Sequence, residues 1–251
     1  MSNRTKLPGC GLLAVLSLAC ANAAGAPPVP RDAPIDGAVI AAGYLSHHPD
    51  LRHRIEGMRA LDDGFPKQAM TAFRRAARYA DKPAQAMLAH LYWTGTGTPV
   101  DRPRGYAWMD IAAQRGYPGF IGWRERYWAE LSPAERREAV TIGRPLMDTY
   151  GDASAKPRLE RVMRRGLRQQ AGSRVGGSAI GMTIKLVGPT AGGSTSSYVA
   201  EALGMTIDGN DYYQRKYWHP RAYWEWQDRQ WGVDPSGTVV VQSVQRVEDG
   251  T

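Results

Sequence analysis

Gly95-Thr96-Gly97-Thr98-Pro99-Val100-Asp101, followed by Ala107-Trp108 and by Ala112-Ala113-Gln114-Arg115-Gly116, is the stretch whose reading decides the fold. It spells a glycine-broken loop, a helix with one large apolar anchor, and an Ala-Ala pair that lets a second helix pack very close. The same grammar occurs once before, in Phe73-Arg74-Arg75-Ala76-Ala77, whose alanine pair precedes Ala112-Ala113 by 36 residues. A period of that size means stacked helical hairpins, each of which buries its apolar face only against its neighbours. The sequence therefore spells a solenoid.

These residues resemble a Sel-one-like repeat, a branch of the tetratricopeptide superfamily. In that family a hairpin ends in a tyrosine and a Gly-x-Gly loop, an Asp starts the next helix, and a Trp and an Ala-Ala pair follow. Those positions are Tyr92, Gly95, Gly97, Asp101, Trp108, Ala112, Ala113 and Gly116 here, and the preceding helix matches as Ala84 to Tyr92. Two positions depart from the pattern. Gly105 stands where the family prefers Ala, and after Gly116 the expected small-residue helix is replaced by Phe120-Ile121-Gly122-Trp123. The array thus ends in a modified terminal hairpin, as stacks of repeats do. The close match covers residues 65–128, about a quarter of the chain. The resemblance implies a mainly α fold: a right-handed α-solenoid over residues 35–171 that holds a protein or peptide on its concave face and needs no cofactor.

The N-terminus reads as a targeting segment, residues 1–23. Arg4 and Lys6 form a positive region, Gly11 to Ala19 a short apolar one, and Ala21-Asn22-Ala23 a cleavage site. The apolar run is far too short to span a bilayer, which takes about 20 residues. A lipoprotein acylated at Cys20 is the alternative, although Ser17 stands three positions before it where a bacterial lipobox has Leu. The expectation is an exported, periplasmic protein. Both cysteines, Cys10 and Cys20, lie inside this segment. The cleaved chain is then without disulfides, although its compartment permits them, and thiol catalysis and thiolate ligation are excluded.

Residues 24–34 are a Pro-rich spacer with extended preference. Leu51, Ile55, Met58 and Leu61 suggest a helix closed by Asp63-Gly64. The first clear hairpin spans 66–80 and 84–94, the second 102–115 and 119–131. Ser132-Pro133-Ala134-Glu135 is a helix start with a cap and a reciprocal Glu, running to about Tyr150, and a further helix covers about 156–170. Residues 172–251 then change character: a Gly/Ser linker followed by a small aromatic-rich α+β module, or a ribbon folded back on the solenoid. Gly-Met-Thr-Ile occurs at 181–184 and at 204–207, which suggests two short strands. Residues 207–211 read as a turn, 220–231 as a short helix and 239–241 as a last strand.

Chemistry is scarce. His47, His48, Asp50 and His53 form the one histidine cluster, but adjacent histidines point in different directions and Pro49 breaks a helical i,i+4 pair. Metal sites need three or four converging ligands, so the reading is a solvated polar loop. Glu225 and Asp228 on one helix converge on one side of a substrate, whereas glycosidases flank the bond. These two are read as a surface face, with Asp228 and Arg229 solvated. The Gly-rich stretch is no phosphate loop, having no Lys-Ser/Thr ending. No catalytic, cofactor-binding or metal residues are assigned.

Two candidate partner surfaces remain. The net charge is +8, and Arg158, Arg161, Arg165 and Arg168 share one helix face, opposed only by Glu160. They suit either an anionic envelope component or the polar outer face of a terminal capping helix; nucleic acid is not a partner of an exported protein. The aromatic run, in a chain with 8 Trp and 12 Tyr against 3 Phe, includes Trp218, Trp224, Trp226 and Trp231. The four suit docking onto the solenoid or a glycan or peptide partner. The functional expectation is a non-catalytic interaction scaffold or adaptor of the bacterial cell envelope. The alternative is an envelope enzyme or a glycan- or peptidoglycan-binding protein that uses the aromatic module.

Overall fold

The computed structural model describes residues 35, 37–170, 183–185 and 206–232. After the short α1 (Gly37–Ala41) and a 3-10 turn at Tyr44–Ser46 come α2 (Pro49–Asp62), α3 (Pro66–Ala77) and α4 (Lys82–Thr94). The array continues with α5 (Arg102–Ala112), α6 (Pro118–Glu130), α7 (Pro133–Tyr150) and α8 (Asp152–Gln170). The chain is mainly α, and these antiparallel neighbours stack as a helical-repeat solenoid.

Each boundary has a local cause. The Asp81 side chain accepts from the Ala84 amide at 2.8 Å, and Asp101 from that of Arg104 at 3.0 Å. Each satisfies an amide that the first turn leaves without an intrahelical partner. Ser132 and Glu135 bond reciprocally at 3.3 and 2.9 Å and open α7. Gly97 has φ 78° and its Cα faces Pro66 so closely that a Cβ would lie 2.9 Å from the proline's own. The loop after α4 is thereby pinned on the start of α3, which neither a side chain nor a right-handed backbone at 97 permits.

The alanines do what their spacing demands. Ala76, Ala77, Ala84, Ala89 and Ala112 have no exposed surface, and Trp108 is buried against Tyr150 with ring centroids 4.7 Å apart. Gly105 extends the same logic. A Cβ there would lie 3.0 Å from the Ala89 carbonyl and 3.2 Å from the Trp93 nitrogen, so α5 rests directly on the backbone of α4. Trp93 stacks flat on Tyr127 at 3.9 Å, which ties α4 to α6.

The largest shift of a boundary from the sequence expectation is at the start of α8. α8 begins at Asp152 and not near 156, because extended Gly151 (ψ 159°) breaks the chain for a single residue and Asp152 is immediately engaged by Arg115 and Lys82.

The Thr-Ile repeat pairs with itself. β1 (Thr183–Lys185) and β2 (Thr206–Asp208) run antiparallel with Ile184 opposite Ile207. Residues read as a turn form a single helical turn instead, α9 (Gly209–Tyr212), because the Asp208 carboxylate caps the Asn210 amide at 2.7 Å. Then follow α10 (Arg215–Trp218) and α11 (Pro220–Gln230), with Gly232 at φ 78° just after the last helix. These C-terminal residues fold back on the solenoid. Tyr212, Tyr217 and Trp218 pack with Val39, Tyr44 and Leu51, while Tyr223 and Trp224 pack with Ala80 and with Ala155, Leu159 and Met163 of α8. The leader, the spacer and the 239–241 strand lie outside the described residues.

Candidate interaction surfaces

The repeat loop opens a groove. Thr98 to Arg104 run past the first turn of α7 and enclose about 720 Å³, lined also by Tyr92, Glu135 and Glu138. Val100 stands in it 60% exposed. Arg104 lies 5.4 Å over the Tyr92 ring and Arg102 5.2 Å over that of Trp93, while the Tyr92 hydroxyl accepts from Arg74 at 3.0 Å. The Glu135 carboxyl is held below its usual range by the hydrogen bond to Ser132. The rim therefore offers arginines held on aromatic faces, two glutamates and one bare aliphatic side chain. Such a set offers charge-assisted bonds and one apolar contact. A smaller groove of about 500 Å³ between α2 and α3 is lined by Glu56, Ala60, Lys67, Gln68, Thr71 and Arg75 among others.

The second feature is a polar network beneath α11. The Lys82 ammonium, on buried α4, donates to the Ile111 carbonyl at 2.8 Å and to the Gln85 and Gln114 side chains at 3.2 Å, and it pairs with Asp152 at 3.0 Å. Arg115 grips Asp152 at 2.7 and 3.1 Å and donates to the Ala80 carbonyl at 3.0 Å. Burial pulls Lys82 down to about 8, although Asp152 opposes the shift. Burial would raise Asp152, yet Arg115, Lys82 and Lys156 hold it well below the carboxylate range. The network extends to the tail: Arg115 donates to Tyr117 at 3.3 Å, and Tyr117 to Asp228 at 2.5 Å.

Beside it lies a fully buried cluster. Asp50 accepts from the Tyr223 hydroxyl, which in turn accepts from Gln227 at 2.7 Å. His48 stacks on Tyr44 at 3.9 Å, with its Nδ1 3.8 Å from Asp50. This corrects the solvated-loop reading, since His48 and Asp50 are 0% and 1% exposed. Tail aromatics cover them, and the sequence carries no local sign of that cover. The histidines do not converge: His53 turns to Glu56 at 2.7 Å and the His47 ring sits over Gly166. Nor do the tail carboxylates: Glu225 pairs with Arg221 at 2.9 Å while Asp228 faces Tyr117. Asp228 is thus half-buried and bonded, which corrects its reading as solvated.

The structure divides the arginine stripe. Arg158 is half-buried and donates to the Thr149 carbonyl at 2.6 Å and to that of Arg78 at 3.2 Å. Arg161, Arg165 and Arg168 are exposed, and Arg164 beside them pairs with Glu160 at 2.9 Å. The tryptophans divide too. Trp218, Trp224 and Trp231 are 1%, 8% and 7% exposed: they pack on the solenoid, as the docking reading has it, and leave no open partner surface of their own. Trp226 is half-buried. The motif residues build the scaffold: Tyr92, Trp108, Ala112 and Ala113 are core, Asp101 caps α5, and Gly95, Gly97 and Gly116 take left-handed conformations. Lys82, Arg115, Asp152, Asp50 and Tyr223 were not singled out from sequence as a network.

No family model matches the chain, and no curated protein does. One solved structure matches: a protective antigen present in uropathogenic Escherichia coli strains, described as displaying an SLR fold. The match has 20% identity and a TM-score of 0.39, and covers 53% of this chain and 28% of the antigen's.

Proposed function

We propose that this chain is a non-catalytic interaction scaffold or adaptor of the bacterial cell envelope, a Sel-one-like repeat protein that holds a peptide or protein partner on its concave helical surface. The observation that carries this reading is the open groove at the repeat loop, with Val100 bare among Arg102, Arg104 and Glu138. Export and cleavage near Ala23 place the protein in the periplasm; acylation at Cys20 would instead put it on a membrane surface. Intact-mass measurement of the exported chain separates the two, a thiol-free N-terminus near Ala24 against a diacylglycerol-modified Cys20.

The groove is tested by placing a photo-crosslinking residue at Val100. A discrete adduct from envelope extract is expected, and Arg102→Glu combined with Glu138→Arg abolishes it. If the adduct is absent, or indifferent to the charge reversal, the groove is not the partner site. The enzyme or glycan-binding alternative is weakened by Trp218, Trp224 and Trp231 being covered and by Glu225 and Asp228 having separate partners.

A further inference from the structure

α8 turns its two faces to different surroundings. Ala155, Leu159 and Met163 pack with Tyr223 and Trp224, and Leu167 packs against the cluster of Val39 and Tyr44. The opposite face carries Arg161, Arg164, Arg165 and Arg168, all exposed. The carboxylates of this helix are already committed. Glu160 pairs with Arg164 at 2.9 Å and accepts from the Trp224 indole at 3.1 Å. Asp152 is held by Arg115, Lys82 and Lys156. Arg161 Nε donates to the Pro157 carbonyl at 3.2 Å. Among the described residues Arg161, Arg165 and Arg168 thus have no carboxylate partner. Like charges three and four residues apart destabilise a helix, and the helix dipole offsets this only in the last turn, at Arg168. The three span about 10 Å along the axis, comparable to the Debye length, so their fields add. Nothing apolar accompanies them. The large exposed apolar side chains among the described residues are Ile55, Phe65, Val100 and Val140, none of them on α8. A protein partner is held by a desolvated apolar or aromatic centre, which this face lacks. Planar guanidinium forks in a row match phosphate oxygens instead.

We propose that this face of α8 docks on a membrane, with Arg161, Arg165 and Arg168 lying on the head-group phosphates of a bilayer that contains anionic phospholipid. Arg158 stays out of the contact, because the Thr149 and Arg78 carbonyls hold its guanidinium. With its other face packed under Tyr223 and Trp224, α8 carries the solenoid with it to the surface. The groove at Val100 is a separate place, which α8 does not line.

The test is co-sedimentation of the full chain with vesicles of mixed phosphatidylcholine and phosphatidylglycerol at low salt. An arginine near an anionic surface contributes roughly fivefold to partitioning, so Arg161, Arg165 and Arg168 changed together to Gln are expected to lose on the order of a hundredfold. Arg59, Arg137 and Arg144 changed to Gln remove the same charge from other exposed sites and are expected to leave binding nearly intact. Wild-type binding is expected to fall about tenfold or more when salt is raised from about 50 to about 500 mM. Absence of wild-type binding, equal binding by the stripe variant in its folded state, or an equal loss in the control variant overturns the proposal. So does displacement by inorganic phosphate at constant ionic strength, since the site would then be a discrete anion pocket. Binding to phosphatidylcholine alone that matches binding to the mixed vesicles also overturns it, by assigning retention to the apolar N-terminal segment. Should the stripe variant prove insoluble, Arg165→Glu alone is expected to weaken binding about tenfold or more, and unchanged binding by that variant overturns the proposal.

Discussion

His48 and Asp50 exchange their ordinary protonation states on folding. Burial lowers His48 to about 3, with His47 adding to the effect. Burial raises Asp50 to about 7, with Asp81 adding to it and Tyr223 and Arg54 opposing. Between about pH 4 and 6.5 the folded chain therefore carries one proton on Asp50, and the unfolded chain carries one on His48. Proton counts on the pair match, so the two together add almost no pH dependence to stability across that window. Single variants uncover the two slopes. In Asp50→Asn the lowered His48 remains, whose contribution is present above pH 6.5 and lost as pH falls toward 3. In His48→Gln the raised Asp50 remains, whose contribution is present below about 3.8 and lost as pH rises toward 7. Urea titrations from pH 4 to 7 are expected to give opposite slopes, each on the order of a few kcal/mol across its window. Two variants sloping the same way would rule out the exchange. Trp108 belongs to the same scale: buried against Tyr150, its replacement by Ala is expected to cost roughly 3–5 kcal/mol. A melting curve indifferent to Trp108→Ala would remove the anchor role of this residue.

Among the elements, α5 and α8 divide what sequence spacing joins. The Sel-one-like pattern that this segment resembles prefers Ala at 105, and helix propensity favours Ala over Gly by about 1 kcal/mol. The backbone of α4 nevertheless stands 3.0–3.2 Å from where that Cβ would sit. Gly105→Ala is expected to lower stability by about 1–3 kcal/mol in thermal melts, and a gain would show that α5 has room to move away. On α8 the helical wheel puts four arginines on one face, but the carbonyl at the end of α7 has captured Arg158. Arg158→Gln is expected to cost about 1–2 kcal/mol, while Arg161, Arg165 and Arg168 changed together to Gln leave the melting temperature nearly unmoved. If those three cap the solenoid, the triple variant loses solubility alone. Salt-sensitive adhesion to anionic vesicles, lost in the variant, would make them a lipid-facing patch instead, since free charges are screened beyond about 8–10 Å at physiological ionic strength.

Over the whole molecule, what was legible in the sequence was what is local. Asp101 and Ser132 announce helix starts, Gly95 and Gly97 announce the loop between hairpins, and Ala76-Ala77 and Ala112-Ala113 announce close packing, because each acts within a few residues of itself. The buried network was not legible, because Asp50 and Tyr223 are 173 residues apart and Tyr117 and Asp228 are 111 apart. No spacing rule reaches across such distances. Charge also misled locally: His48 and Asp50 read as a solvated loop and become interior once the tail closes over them. That separation has a consequence in time. Helical hairpins form from local contacts in microseconds to milliseconds, whereas synthesis adds about 5–20 residues per second. The 173 residues between Asp50 and Tyr223 thus take roughly 9–35 s to be made. Asp50 is therefore the first part of this contact to be made and Tyr223 the last, and the carboxyl keeps its water until the end of the chain arrives to replace it.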